Sequence, residues 1–467
     1  MFTSQNEPLI DDDPVVGNVT ENISTGPDHL IFDANFECGN LGRVDALTPN
    51  EYDLFIRPDT CNPKYRVWFY FSVSNAKPNQ RVVFNVVNFS KLRTLFDTGS
   101  AAPVYKSITN TDWSRVPVKN IYYYSSKAHG DRFILSFIHI FPDSEKCFFA
   151  YCIPYTYSKL QKYLLELEQR NLSYFKRDPL THSVQRRRVD LLTITNCSNL
   201  VDKQKIIFIT ARVHPGETPS SFVLHGFLEF LVSNDSRAKK LREIYVFKIV
   251  PMLNPDGVYL GNYRCSLMGF DLNRQWQNPS SWGNPTIFAT KNLLIQYNNN
   301  PHIELCLVMD LHAHSRQTNT FLYGNLTTKD PKHCEQQLYI PYLLAELTED
   351  YSLHFTQFNT DAEKAGTNRR AMGALLDPNC LCYTLEVSFF SYKPKDSSTA
   401  KSIPYFDYTY ELLGENIAIS ILQYSEILNG ERQIAIKRSF ESFLPKRCVK
   451  SYKQLGKTLK ALDIRKP

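Results

Sequence analysis

No stretch of this 467-residue chain approaches the ~18 consecutive apolar positions of a membrane-spanning helix, so no membrane insertion is expected. The opening residues, Met1 to Asp13, lack both a basic n-region and an apolar h-region, so no signal peptide is expected either. The N-x-S/T triplets at Asn18, Asn171 and Asn325 then read as chance matches, because glycosylation requires secretion. The eleven cysteines are odd in number and have no C-x-x-C spacing, although Cys380 and Cys382 flank a single residue. That usage argues against a disulfide framework and for a reduced, cytoplasmic setting. P-loop, G-x-G-x-x-G, H-E-x-x-H and G-x-S-x-G patterns are all missing. Nucleotide-driven, thermolysin-like and serine-hydrolase chemistries are thereby disfavoured. Internal repeats and low-complexity tracts are absent too.

What is present is ample core material: 43% of the residues are hydrophobic, and the length suggests two or three domains. The net charge of +6 conceals a polarity. Residues 1–28 carry six acids and no bases (−6), and residues 437–467 carry ten bases and two acids (+8), which leaves +4 for the middle. The simplest expectation is a disordered acidic arm over 1–28 and a solvated basic tail over 431–467. That tail would also suit an acidic partner. Its bases are poorly interleaved with aromatics, so nucleic-acid binding is not expected.

Residues 29–165 are rich in β-branched and aromatic runs, among them Tyr65–Ser74, Arg81–Val87 and Arg132–Phe141, separated by turn clusters. They predict a smaller antiparallel β-sandwich with the aromatics in its core. A helix over Leu160–Arg170 is expected to link this sandwich to a second, larger domain. Over 166–430, strands at 189–195, 205–213, 244–250, 303–311 and 382–389 alternate with helices at 219–233, 286–298, 336–351 and 408–428. This is the pattern of an α/β domain with a mostly parallel or mixed central sheet flanked by helices.

Two segments of that domain carry chemistry. His214-Pro215-Gly216-Glu217 follows the apolar run Lys205–Val213, with Thr218 as an expected N-cap and Pro219 at the first helical position. Asp310-Leu311-His312 completes it 95 residues beyond Glu217, at the end of another apolar strand. Either half alone is a common chance pattern. Together they supply two imidazoles and a carboxylate, the three protein ligands of a catalytic zinc with a fourth position left for water. In open α/β sheets, sites gather at the carboxyl ends of the strands, where both segments emerge.

Between and after these halves lie Asn254-Pro-Asp-Gly257, Asn262-Tyr-Arg-Cys265, Phe270-Asp-Leu-Asn-Arg-Gln-Trp276 and Tyr383-Thr-Leu-Glu-Val-Ser388. In this order the set resembles the zinc carboxypeptidases of the carboxypeptidase A type. His-Pro-Gly-Glu-Thr, Asp-Leu-Asn-Arg and the β-rich domain in front are similar to the cytosolic carboxypeptidase branch. The resemblance spans roughly residues 28–430.

It implies one Zn2+ per subunit held by His214, Glu217 and His312, and Glu386 as the general base. Arg264 would face the developing oxyanion, and Asn273 with Arg274 would clamp a terminal carboxylate, which makes the enzyme an exopeptidase. Asp271 would orient a zinc histidine. The digestive members carry an arginine between the zinc His and Glu, whereas this chain has Pro215-Gly216. The family's mobile active-site tyrosine has no evident counterpart in Lys364–Arg370. There a basic residue would read an acidic side chain: Arg369 is the candidate, with Lys364 and Arg370 nearby. The expected substrates are polyglutamylated tubulin or other proteins with acidic glutamate tails, deglutamylated in the cytosol, with microtubules or centrioles as settings. The rivals are an acyl-amino-acid deacylase using the same zinc triad and a non-catalytic tubulin-binding module.

Overall fold

The computed structural model describes residues 17–23, 29–90, 101–110, 112–196, 203–325, 331–359, 361–395 and 401–433. All but three residues of the expected basic tail, and residues 1–16 and 24–28 of the expected acidic arm, lie outside the described residues; within the arm, Asn22–Ile23 is not disordered but pairs antiparallel with Ile31–Phe32. The chain forms two units that divide at Pro154/Tyr155, with Leu260–Tyr263 belonging to the first. The expected linking helix, observed as Tyr157–Gln169, belongs to the second. No helix among the described residues is long and apolar enough to cross a membrane.

The first unit stacks a six-stranded sheet on a five-stranded one. Strand side chains alternate between faces, and the inward set here is aromatic. Phe32 lies 5.1 Å from Tyr52, and Phe84 lies 5.2 Å from Phe149 and 6.1 Å from Phe71, ring centre to ring centre. These rings form the core of the sandwich. One pair, Glu51–Phe55 with Arg81–Val86, runs parallel inside the otherwise antiparallel architecture. The strand expected over Tyr65–Ser74 is shorter, Tyr70–Ser74.

The second unit is built on an eight-stranded mixed sheet. Its centre is four mutually parallel strands in the order Val246–Val250, Gln204–Ala211, Ile303–His314 and Leu381–Ser388. All four are near-continuous apolar runs, as a strand buried on both faces requires. Antiparallel neighbours extend the sheet on both sides: Arg188–Ile194 with Phe175–His182, and Phe321–Gly324 on the far flank, where Gln357–Phe358 pairs parallel to it. Helices Thr218–Val232 and Asp407–Leu428 pack unusually close. A Cβ on Gly226 would meet the Glu411 carbonyl, and one on Gly414 would meet that of Val223. This crossing fixes the helix that starts directly after Glu217.

Candidate metal centre

The carboxyl ends of the four parallel strands carry the site. Ala211 ends one strand, and Arg212 then takes a left-handed backbone (φ 58°) that turns the chain sharply before His214. Its buried guanidinium holds the turn. Nε donates to the Pro215 carbonyl at 2.8 Å, and Nη1 donates to the Tyr155 carbonyl and the Ser221 hydroxyl. The helix opens at Thr218, so Glu217 occupies the capping position, where Thr218 was expected. Its carboxylate does not cap the helix, because it is turned onto the two imidazoles.

His214, Glu217 and His312 converge. Each is buried, and one donor atom from each lies within 4.8 Å of the others. His214 Nδ1 is 2.7 Å from Glu217 Oε1, and His312 Nδ1 is 2.9 Å from Oε2, which also accepts from the Ala313 N–H. The opposite ring nitrogens face further acids: His214 Nε2 lies 3.1 Å from Asp271, and His312 Nε2 lies 2.8 Å from Asp310. A neutral imidazole has a single N–H, so each ring can meet both of its carboxylates only by taking up a second proton or by giving one nitrogen to a cation. A divalent cation held by the two Nδ1 atoms and Glu217 would take the place of those protons and leave each Nε2–H to its carboxylate. Two nitrogens and one oxygen, with acids behind the histidines, suit zinc.

The charges follow this geometry. Burial would raise the Glu217 pKa, but His214 and His312 hold it well below the usual carboxylate range. Asp271 behaves likewise, through His214 and Arg264. For His312, burial favours the neutral ring, yet Asp310 and Glu217 outweigh it and raise the pKa well above that of a free imidazole.

Glu386 stands beside the centre. It is the register partner of His312 on the adjacent parallel strand, so the two side chains share a face. Burial lifts its pKa to about 7 against the opposing pull of His312, with the Glu217 charge adding to the rise. Such a carboxyl suits taking up and returning a proton near neutral pH.

The remaining expected residues are distributed unevenly. Arg264 is locked to Asp271, with Nε 2.8 Å and Nη2 2.6 Å from Oδ2. Asp271 thus couples a histidine ligand to this arginine, and Arg274 lies 3.9 Å from the same oxygen with its side chain partly exposed. Asn273 is buried, and its Oδ1 accepts from the Asn368 N–H at 2.9 Å. Its Nδ2 lies 3.2 Å from His312 Nε2, the ring nitrogen turned away from Glu217, so the amide sits behind the ring with both of its polar atoms engaged. Arg369 is 3% exposed, with Nη1 on the Gly324 carbonyl and Asn325 Oδ1, and Nη2 on Asn359 Oδ1. Burial and Arg370 lower its pKa to about 10, and no described carboxylate lies within ion-pair distance.

Two residues that sequence reasoning passed over also belong to this region. Arg316 is exposed just past the His312 strand, and its charge acts on both Lys364 and Tyr323. Thr210 donates from Oγ1 to Asp310 Oδ1 at 2.7 Å.

Residues 160–412 match the zinc carboxypeptidase family, and residues 32–151 match the cytosolic carboxypeptidase N-terminal domain. The chain is 57% identical over 446 residues to cytosolic carboxypeptidase 6 of Caenorhabditis elegans, covering 94% of this chain and 97% of that protein. The chain belongs to the cytosolic carboxypeptidase family. The human cytosolic carboxypeptidase 6 is 52% identical over 436 residues, covering 91% of this chain and 86% of that protein. Among solved structures, a metallo-carboxypeptidase from Burkholderia cenocepacia superposes with a TM-score of 0.73 over 86% of this chain and 100% of that one, at 21% identity. One from Pseudomonas aeruginosa, in complex with (2-guanidinoethylmercapto)succinic acid, gives 0.70 over 85% and 99%, at 23% identity. Both likenesses are of fold, and the fold of this cytosolic carboxypeptidase is that of the zinc carboxypeptidases.

Proposed function

We propose that this chain is a zinc-dependent metallocarboxypeptidase that removes C-terminal or side-chain glutamates from polyglutamylated proteins such as tubulin. The observation that carries the reading is the register pairing of Glu386 with His312, which stands a proton-accepting carboxyl beside a buried two-histidine, one-glutamate centre. His214, Glu217 and His312 would hold one Zn2+ per subunit. When bound, that ion acts as a Lewis acid towards the scissile carbonyl and lowers the pKa of water towards ~7. Glu386 takes the proton from the attacking water and returns it to the leaving amine. Arg264, held by Asp271, offers positive charge to the developing oxyanion in a water-poor site.

Arg274, partly exposed and planar, is suited to a bidentate grip on a terminal carboxylate. An internal peptide bond has no such carboxylate, and that limits cleavage to chain ends. The acidic preference is supported by Arg264, Arg274 and Arg316, whose charges all act on Lys364 alongside that of Glu386. Burial and the neighbouring Arg274 and Arg264 pull the Lys364 pKa down, as expected of crowded cations. Arg369 adds a buried cation that lacks an acidic partner among the described residues. The names of the relatives support work in the cytosol.

The test is mass spectrometry of linear and branched polyglutamate peptides after incubation with zinc-loaded protein. Stepwise loss of glutamate is expected. Peptide masses that stay unchanged while zinc is bound would refute the reading.

A further inference from the structure

The short strand Phe321–Gly324 pairs antiparallel with Leu381–Ser388, and Phe321 and Tyr323 stand opposite Glu386 and Thr384. Register partners share a face, and residues two apart on one strand do as well. Phe321, Tyr323, Glu386 and His312 therefore rise from one side of the sheet. The Tyr323 ring packs edge-on against Phe321 at 5.3 Å, and the Arg369 guanidinium lies 5.8 Å from its centre. The ring is half-buried, and no described residue hydrogen-bonds its hydroxyl. Burial, and then the Glu386 charge, raise its pKa, so the phenol keeps its proton at neutral pH and can only donate to an anion.

Arg369 is poorly placed to do this alone. Its Nη1 hydrogens are directed at the Gly324 carbonyl and Asn325 Oδ1, and Nη2 already donates to Asn359 Oδ1. It supplies positive charge beneath the ring, with both Nη1 hydrogens and one Nη2 hydrogen already serving other acceptors. A carboxylate entering beside Glu386 would meet the Tyr323 hydroxyl, with Arg316 acting on the same ring from the rim.

We propose that Tyr323 is a specificity residue whose O–H donates a hydrogen bond to the side-chain carboxylate of the glutamate being removed. This rests on the glutamate-removing reading above. A hydroxyl that hydrogen-bonds a substrate anion discriminates strongly against an isostere lacking the charge, because such bonds are stronger than neutral ones.

The test uses zinc-loaded full-length Tyr323→Phe with peptides ending in Glu and in the uncharged isostere Gln. For the Glu substrate KM is expected to rise roughly ten- to a hundredfold with kcat nearly constant. The Gln substrate, whose amide oxygen accepts only a weaker neutral hydrogen bond, should lose clearly less. Equal losses on both peptides, or an unchanged KM for Glu, would overturn the proposal. Calorimetric binding of glutarate to both proteins separates this from failure of the functional reading. If the wild type cleaves neither peptide yet binds glutarate more tightly than Tyr323→Phe, the pocket stands and the reaction assignment falls. If glutarate binds both proteins alike, the pocket falls.

Discussion

The Thr210 hydroxyl and the Asp310 carboxylate, both fully buried on adjacent parallel strands, are 2.7 Å apart. The other Asp310 oxygen takes the His312 Nε2–H at 2.8 Å. Thr210 thus fixes the rotation of the carboxylate that fixes the ring, and Asn368 Nδ2 approaches the same hydroxyl at 3.4 Å. Replacing Thr210 with Val keeps the shape and removes the donor, leaving one Asp310 oxygen buried without its partner. Zinc affinity is expected to fall roughly tenfold, the lower end of what outer partners of metal histidines contribute. Thr210→Ser should restore most of it. Chelator competition reads this directly, and unchanged affinity in Thr210→Val would show that the hydroxyl does not act on the metal site.

Asp271 plays the matching part for His214 but under a different charge balance. It is shared with Arg264 at 2.6 Å and faces Arg274 at 3.9 Å, whereas Asp310 is met by a neutral hydroxyl. Asp271→Asn should therefore do two things at once. It weakens the hold on His214, and it releases Arg264 from the position in which it would face the reacting carbonyl. Zinc affinity is expected to drop about 10- to 100-fold, and kcat/KM should remain low even at saturating zinc. Full recovery of kcat/KM on adding zinc would show that Arg264 does not depend on Asp271.

The parts legible in the sequence are those written locally. Long apolar runs gave the four central strands, and the strand-end positions of His214 and His312 pointed to one sheet edge. Glu217 was legible as a ligand but not as the residue at the helix cap, because the pull of two imidazoles on its carboxylate is a tertiary effect. Thr210 sits inside an apolar strand, and its partner lies 100 residues away, so nothing local marks it. Strand Phe321–Gly324 is four residues long, too short for periodicity, and Tyr323 went unassigned with it. The parallel pairing of Glu51–Phe55 with Arg81–Val86 was equally hidden, since alternation sets a face and leaves the strand direction open. Helices Ser236–Ile244 and Asn368–Leu375 are short and were not anticipated; the second carries Arg369 into the interior.

Glu386→Gln separates proton transfer from binding. The amide keeps the size of the carboxyl but cannot take the proton from water, so kcat should fall by about 10²–10⁴, the usual share of general acid–base catalysis. Zinc content and KM should change little, because the three donor residues and Arg274 are untouched. A variant that cleaves at the wild-type rate would remove Glu386 from the base role, whatever its register with His312.

The acid limb of the pH profile is expected to be set by the same residue. Glu386 must be ionised to act, and burial raises its pKa to about 7 in the absence of added positive charge. A bound divalent cation favours the ionised form, so about 7 is the upper bound for the limb in the zinc-loaded enzyme. Log kcat/KM should rise with slope one as pH climbs towards that bound, and the limb should vanish from the residual rate of Glu386→Gln. The stability of the zinc-free protein gives an independent reading of the opposite sign. The folded state holds a proton on Glu386 that the unfolded chain releases near its ordinary value of 4.5. Wild type should therefore lose stability relative to Glu386→Gln as pH rises from 4.5 to about 7, because folding then favours a proton the solution no longer supplies. Paired denaturant titrations of the two zinc-free proteins across this window measure the difference, in which the other titrating groups largely cancel. A flat difference would mean that Glu386 is not held in the desolvated setting the base role requires.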